Sequence, residues 1–366
     1  MTWKISAVVF AFSAFSGAAT DSASFSDAHI HPLPKVSHRM LPRAAGLVSG
    51  TFSQTLDHFG GPTGQTFEQR YWYDSEFASG PDAPVIYHIC GEMDVDQSYF
   101  LNDSANVWAK KLGARLVYLE HRYYGKSLPF PDLASDHMQY LTLQNAIEDL
   151  ATFQKWISTQ QGWTGKWISV GGSYSGTLSA IYRQQHPELV SGALASSAPM
   201  IGGVGRYIDD PDDLEDLSST DPSLAPGDRQ WAYEACTSVA FWEADGPEPG
   251  SNLQNPSSTL CQQLFGNIAL IDPKVYNQNY DQPFLANASC SPSKIFFTYG
   301  SDDIWTTLGL SQQTNTNPGI TISVIDGAGH HFDLNPPDPS DSSAVVTARS
   351  QFLGLAEQWL QTGTSR

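Results

Sequence analysis

Positive charge is scarce in this 366-residue chain: 19 Lys and Arg stand against 38 Asp and Glu, a formal net charge of −19. A surface of that sign repels phosphate backbones and anionic headgroups, which excludes nucleic acid and membrane surfaces as partners. Self-repulsion is least in mildly acidic surroundings, near the pI of about 4.7. Cysteine is scarce too. Cys90, Cys236, Cys261 and Cys290 are too few and too scattered for a small disulfide scaffold or a zinc site, and neither a metal nor a cofactor is expected. Nor does any apolar run reach the roughly 20 residues that span a bilayer. The stretch Ile5 to Phe15 is shorter, follows Lys4 and precedes Gly17-Ala18-Ala19. It reads as a signal peptide over residues 1–19, so the chain is expected to be secreted or vacuolar/lysosomal. In that compartment Asn102-Asp103-Ser104 and Asn287-Ala288-Ser289 are glycosylation acceptors, while Asn255-Pro256-Ser257 is excluded by its proline.

What is present is one stretch around which the rest can be organised, Lys166-Trp167-Ile168-Ser169-Val170-Gly171-Gly172-Ser173-Tyr174-Ser175-Gly176. An apolar β-branched run ends in two glycines and a serine, and a helix-compatible run, Thr177 to Gln185, follows. Strand, sharp turn and helix with Ser173 at the apex is the layout of a nucleophile elbow. Gly171 supplies the first glycine of G-x-S-x-G; Ser175 occupies the place of the second, and Gly176 follows it. As a bare pattern this is weak. The strand before it and the helix after it make it a catalytic-serine candidate.

Residues 20–48 are rich in Ser, Ala, His and Pro without a period and read as a flexible leader. Residues 49–200 then alternate short apolar strands with helices: strands at Thr66 to Tyr73, Pro84 to Ile89, Ala114 to Glu120, Lys166 to Val170 and Val190 to Ser197, helices at Val107 to Leu112 and Leu141 to Gln160. This predicts an α/β fold with a mainly parallel sheet covered on both faces. The alternation stops over 201–290, where Asp, Pro, Ser, Asn and Gly dominate and no strand is evident; an insertion over the sheet is expected. It resumes in 291–366 with strands Lys294 to Thr298 and Ile320 to Ile325 and a helix over Ser342 to Gln361.

A serine nucleophile needs a base and a carboxylate to orient that base. In a sheet of this kind they follow in the order Ser, acid, His, after late strands. Gly300-Ser301-Asp302-Asp303 follows one late strand and Asp326-Gly327-Ala328-Gly329-His330-His331 follows the other. The oxyanion donors would be the N–H of Tyr174 and an N–H of Gly91 or Glu92, after an early strand. Glu120-His121-Arg122, Asp57 and His58 read as structural, and Cys90 as a buried thiol.

The chain resembles the serine peptidases of lysosomal Pro-X carboxypeptidase, dipeptidyl peptidase II and the secreted fungal prolyl endopeptidases. The pieces that carry the resemblance are FSQTLDHF (52–59), TFEQRYWY (66–73), LVYLEHRYYGKSLPF (116–130), YLTLQNAIEDLATF (140–153), VGGSYSGTLSA (170–180), SGALASSAP (191–199), RQWAYEACT (229–237), FFTYGSDDIW (296–305) and GAGHHFDL (327–334). The resemblance implies an α/β-hydrolase fold, cleavage of peptides on the carboxyl side of proline, Ser173 as nucleophile, Asp303 as acid and His330 as base. It also implies that Trp305 lines a proline pocket and that Cys236 and Cys261 form a disulfide, with Cys90 and Cys290 unpaired. Tyr299 and Ile304 depart from the family's asparagine and proline around the acid. Only Ile201 to Gln230 stands where the family inserts a long helical cap, which leaves the mode of cleavage open between endo-, carboxy- and dipeptidyl-peptidase. An esterase of the same fold and a non-catalytic binding protein are the alternatives. The partners expected are proline-containing peptides; the oligomeric state is left open.

Overall fold

Strands buried along their whole length need cover on both faces, and several here are of that kind. β3 (Val85–Ile89), β4 (Arg115–Leu119) and β6 (Val190–Ser196) expose no residue to solvent. The computed structural model describes residues 46–60, 64–95, 103–207, 217–223, 227–244, 257–286 and 291–362. With β1 (Val48–Thr55), β2 (Thr66–Asp74), β5 (Trp167–Gly172), β9 (Ile295–Gly300) and β10 (Ile320–Ile325), these strands form one eight-stranded sheet in the order β1-β2-β4-β3-β5-β6-β9-β10. The β1/β2 and β2/β4 pairs are antiparallel. Every pair from β4 onward is parallel. This is the α/β-hydrolase fold.

Alternation along each strand sorts its side chains between two cores. Val85, Tyr87 and Ile89 face the layer that holds α2 (Leu143–Gln161) and α3 (Tyr174–Gln185). Ile86, Ile168 and Val170 face the layer of α1 (Ser104–Leu112) and the closing helix Ser343–Gln361, through Trp108, Phe352 and Trp359. Thr142 caps α2 by accepting from the Asn145 N–H, and Gly162 ends it in the left-handed region. Strand order steps one way from β3 to β4 and the other way from β3 to β5. The crevice at the carboxyl ends of β3 and β5 is therefore the topological switch point, where open α/β sheets bind ligands.

Two expectations need correcting. Val48, assigned to the leader, is the first residue of β1. That strand escaped sequence reading because an inward position is polar: buried Gln54 donates to Gln69 Oε1 at 2.9 Å and to the Asp149 carbonyl at 3.2 Å. Residues 201–290 are likewise more ordered than a strandless insertion. β7 (Gly203–Tyr207) pairs in parallel with β8 (Phe241–Ala244), and helices form at Asp228–Glu234, Ser257–Phe265, Pro273–Tyr280 and Gln282–Leu285. Sparse apolar side chains suffice because they join the main core; Trp231, Tyr233, Leu260, Phe265, Tyr276 and Phe284 are all buried in it. The acidic stretch 209–216 lies outside the described residues, as do Asn102, Asn287 and Cys290.

Cys236 and Cys261 are disulfide-bonded, with Cα atoms 6.0 Å apart and a sequence separation of 25. Cys90 is a buried free thiol. Closing a loop of that length restricts the unfolded chain, so replacing both cysteines by alanine is expected to cost about 3 kcal/mol. Urea unfolding of the double variant checks this; a midpoint equal to that of the parent would contradict it.

Candidate active site

Ser173 follows β5 and precedes α3 with φ 56° and ψ −133°. A non-glycine residue at positive φ is strained, and it is held here by its neighbours. Its N–H donates to the Ser196 carbonyl at 2.9 Å. The glycines on either side are required by contact. A Cβ on Gly171 would lie 2.1 Å from the Ser175 carbonyl oxygen, and one on Gly176 would lie 3.0 Å from the Ser196 carbonyl oxygen and 3.1 Å from Ala198 Cβ. The displaced glycine is thereby explained. Gly176 is where α3 backs onto β6, and Ser175 fits one place earlier because its hydroxyl folds back to donate to the Gly172 carbonyl at 2.6 Å.

Asp303 follows β9 and caps the turn Ile304–Leu308, accepting from the Trp305 N–H at 2.9 Å. His330 follows β10. Its Nδ1 lies 2.9 Å from Asp303 Oδ1, a bond of the kind that fixes an imidazole's tautomer and orientation. Burial alone would raise the Asp303 carboxyl. The His330 ring, the Ser197 hydroxyl and the Trp305 N–H outweigh it and hold the group below the usual carboxylate range. The histidine loop lies on the elbow: a Cβ on Gly172 would come within 3.2 Å of His331 Cβ and 2.8 Å of Leu334 Cδ1. Gly91 approaches from the other side, its added Cβ 3.5 Å from Ser175 Cβ. The structure thus gathers Ser173, Tyr174, Gly91, Glu92, Asp303 and the His330-His331 pair at the carboxyl edge of the sheet. Trp305 is buried two residues after Asp303, and its indole N–H has no hydrogen-bond partner among the described residues.

Sequence reasoning passed over three supporting groups. Ser197, at φ 47°, accepts from the His331 N–H at 2.8 Å and borders Asp303, so one hydroxyl ties the acid loop to the base loop. Asp333 is buried beneath them and accepts from the hydroxyls of Ser196 at 2.5 Å and Thr298 at 2.9 Å. Glu234 accepts from Tyr174 and Tyr124. Nothing in a run such as SGALASSAP distinguishes a serine that links two loops from one that only packs.

These buried groups fix how stability varies with pH. Burial pushes Glu234 up to about 7, so the folded protein binds more protons than the unfolded one from roughly pH 4.5 to 7, and stability falls as pH rises through that window. For Glu234 the loss is about 3 kcal/mol. Burial pushes His121 down to about 4 and His331 down to about 3. There the folded state binds fewer protons, and stability falls as pH drops below roughly 6.5. Glu92, which burial pushes up to about 8, adds to Glu234, so two raised carboxyls oppose the two histidines and the slopes cancel between roughly pH 4.5 and 6.5. Thermal melts are expected to show a plateau there and losses on both sides; a maximum above pH 8 would contradict it.

Residues 54–205 and 212–352 match the family described as serine carboxypeptidase S28. Human lysosomal Pro-X carboxypeptidase is 39% identical over 156 residues, 41% of this chain and 31% of that one. The mouse thymus-specific serine protease is 23% identical over 455 aligned positions, 85% of this chain and 87% of that one. That alignment is longer than the chain itself, so the mouse protein holds residues with no counterpart here. The first relatives, two from Caenorhabditis elegans and one from Arabidopsis thaliana, carry serine-protease names, and the chain spans only 42%, 38% and 33% of their lengths. Among solved structures, a bacterial heroin esterase superposes with a TM-score of 0.49 at 12% identity, over 88% of this chain and 87% of that one. With the family's match covering most of the sheet and both late loops, the chain belongs to the serine carboxypeptidase S28 family.

Proposed function

We propose that this protein is a secreted or vacuolar/lysosomal serine peptidase that hydrolyses peptide bonds on the carboxyl side of proline. The observation that carries the reading is the His330 Nδ1 to Asp303 Oδ1 bond of 2.9 Å on a loop packed against an elbow whose serine sits at φ 56°. In this reading His330 takes the Ser173 hydroxyl proton as the oxygen attacks the carbonyl carbon, and Asp303 stabilises the imidazolium. The N–H of Tyr174, with one from Gly91 or Glu92, holds the oxyanion. The proton then passes from His330 to the leaving amine, and water releases the acyl group by the same steps in reverse order. Trp305, next to the acid, is assigned to the proline ring, since an aromatic wall suits that flat apolar surface.

The stretch between β6 and the helix Asp228–Glu234 is short and strongly acidic, so the cleft is expected to admit extended peptides. A matched set of proline-containing peptides with free and blocked termini tests this. Both kinds should be cut after proline, and acidic peptides should be cut more slowly at low salt than at high salt. Cleavage confined to free-ended members would restore an exopeptidase reading. Indifference to a proline-to-alanine change in the peptide would remove the proline assignment, and turnover of simple esters alone would make the protein an esterase.

A further inference from the structure

Glu234 is fully buried on a helix of the insertion, yet it reaches the elbow. Its Oε1 accepts from the Tyr174 hydroxyl at 2.7 Å and its Oε2 from the Tyr124 hydroxyl at 2.6 Å. Tyr174 directly follows the proposed nucleophile, and its backbone N–H is the proposed oxyanion donor. The same hydroxyl lies 3.3 Å from His121 Nε2. His121 Nδ1 is 2.8 Å from the Arg122 carbonyl oxygen, which can only accept, so Nδ1 carries the proton and Nε2 is an acceptor. The helix of Glu234 also touches the other proposed donor loop: a Cβ on its N-capping Gly227 would lie 3.1 Å from the Glu92 carbonyl oxygen.

The charged and titratable groups around Glu234 come from three elements. Glu92 lies on the loop after β3, Tyr174 begins α3, and His121, Arg122 and Tyr124 follow β4. Arg122 is the one cation among them, and its guanidinium is engaged by Asp149, with Nε 2.7 Å from Oδ2. Glu234 forms no ion pair among the described residues. An ionised carboxylate here would be a buried negative charge beside the place where negative charge develops during acyl transfer.

We propose that Glu234 is a positioning residue that holds the oxyanion-binding start of α3 through Tyr174, is neutral in the active form, and on ionising shuts down acyl transfer on the alkaline side. In the neutral form the carboxyl O–H donates to a phenol oxygen and the Tyr174 O–H turns to donate to His121 Nε2, so the chain Glu234–Tyr174–His121 is satisfied. Loss of one proton to solvent turns the Tyr174 O–H back to the carboxylate and takes the donor from His121. Burial, which pushes Glu234 up to about 7 and Glu92 up to about 8, places this change where it can be measured. The inference rests on the serine-peptidase reading above.

The test is the pH dependence, from 4 to 9, of two rates: labelling of the protein by a fluorophosphonate, and kcat and KM for a proline-containing peptide. The wild type is expected to lose about tenfold per pH unit above the Glu234 ionisation, in kcat rather than KM. Glu234→Gln should abolish that limb or move it by more than one unit, and should exceed the wild type at pH 9. Tyr124→Phe removes a bond that stabilises the ionised form and should move the limb up by about one unit, a tenfold change in the ionisation constant. It serves if Glu234→Gln does not fold. Glu234→Leu should lower kcat at every pH, since both phenols lose their acceptor. A role in stability alone would shift the melting temperature and leave the limb where it was. An alkaline limb unchanged in Glu234→Gln, or in Tyr124→Phe, overturns the inference while the peptidase reading stands. Folded wild type that labels at no pH overturns the peptidase reading, and this inference with it.

Discussion

Ser173→Ala is expected to abolish turnover, by on the order of 10⁴-fold or more, with the thermal melt unchanged or slightly improved. The strain at φ 56° belongs to the turn, and the contacts that impose it come from Gly171, Gly176 and the Ser196 carbonyl. None of them involves the hydroxyl. His330→Ala should cost nearly as much, because members of a triad act as a unit. His331→Ala should cost far less. Its contribution to the loop is a backbone N–H on Ser197 Oγ, which alanine keeps, and its ring packs against Gly172. Steady-state kinetics of the three variants, each checked by circular dichroism, decide the matter. An inactive His331→Ala beside an active His330→Ala would exchange the two roles.

The second large effect concerns stability. Arg122 is fully buried, and its Nε and Nη2 reach Asp149 at 2.7 and 2.5 Å. Nη1 also donates to the carbonyls of Leu56 at 2.9 Å and Tyr140 at 2.8 Å, and Nη2 donates to Thr55 at 3.2 Å. One guanidinium thus fastens the end of β1 to α2. Arg122→Ala would strand a buried carboxylate and several carbonyls together, and the expected loss is about 3–5 kcal/mol. Lysine should rescue little, since a single ammonium cannot reproduce the planar fork. His58 Nε2, 2.9 Å from Asp149 Oδ1, keeps one hydrogen bond to that carboxylate. Urea midpoints at constant slope measure the loss. A change under about 1 kcal/mol would mean that water or His58 replaces the arginine almost fully. Pairing Arg122→Met with Asp149→Leu should recover part of the loss, since neither member of the pair is then left as an unpaired buried charge.

The order of elements was legible because most of the parallel strands are buried on both faces, and continuous runs such as VIYHI or LVYL leave little else for them to be. The elbow was legible because its glycines and its serine are adjacent in sequence. The joint between acid and base was legible only as two loops of suitable composition: Asp303 and His330 are 27 positions apart, and only the β9/β10 pairing brings them together. β1 was hidden by Gln54. Ser197 and Glu234 were hidden for a different reason, since each acts on a neighbour distant in sequence. Arg122 was read as structural, as part of Glu120-His121-Arg122, with no partner named. Its partner Asp149 lies on α2, and Glu120 pairs with Arg70.

The connection from β6 to β9 sets how freely this scaffold can change size. The two strands are parallel neighbours, Ala193 beside Ile295 and Ser196 beside Thr298, so the chain leaves at one edge of the sheet and must travel back to the other before it can pair again. The helices Ser257–Phe265, Pro273–Tyr280 and Gln282–Leu285 lie on that return path. From Ile201 to Gly227 the described residues take no part in the eight-stranded sheet, and they are anchored instead by the β7/β8 pair and by buried Leu217. Lengthening spare chain is thermodynamically mild, about 0.6 kcal/mol for each doubling. A graft between Tyr207 and Leu217 can therefore be large without disturbing the register of either sheet, whereas a deletion among the return helices shortens the path on which the β6/β9 pairing depends. In this architecture the outgoing half of the connection is exchangeable and the returning half is not.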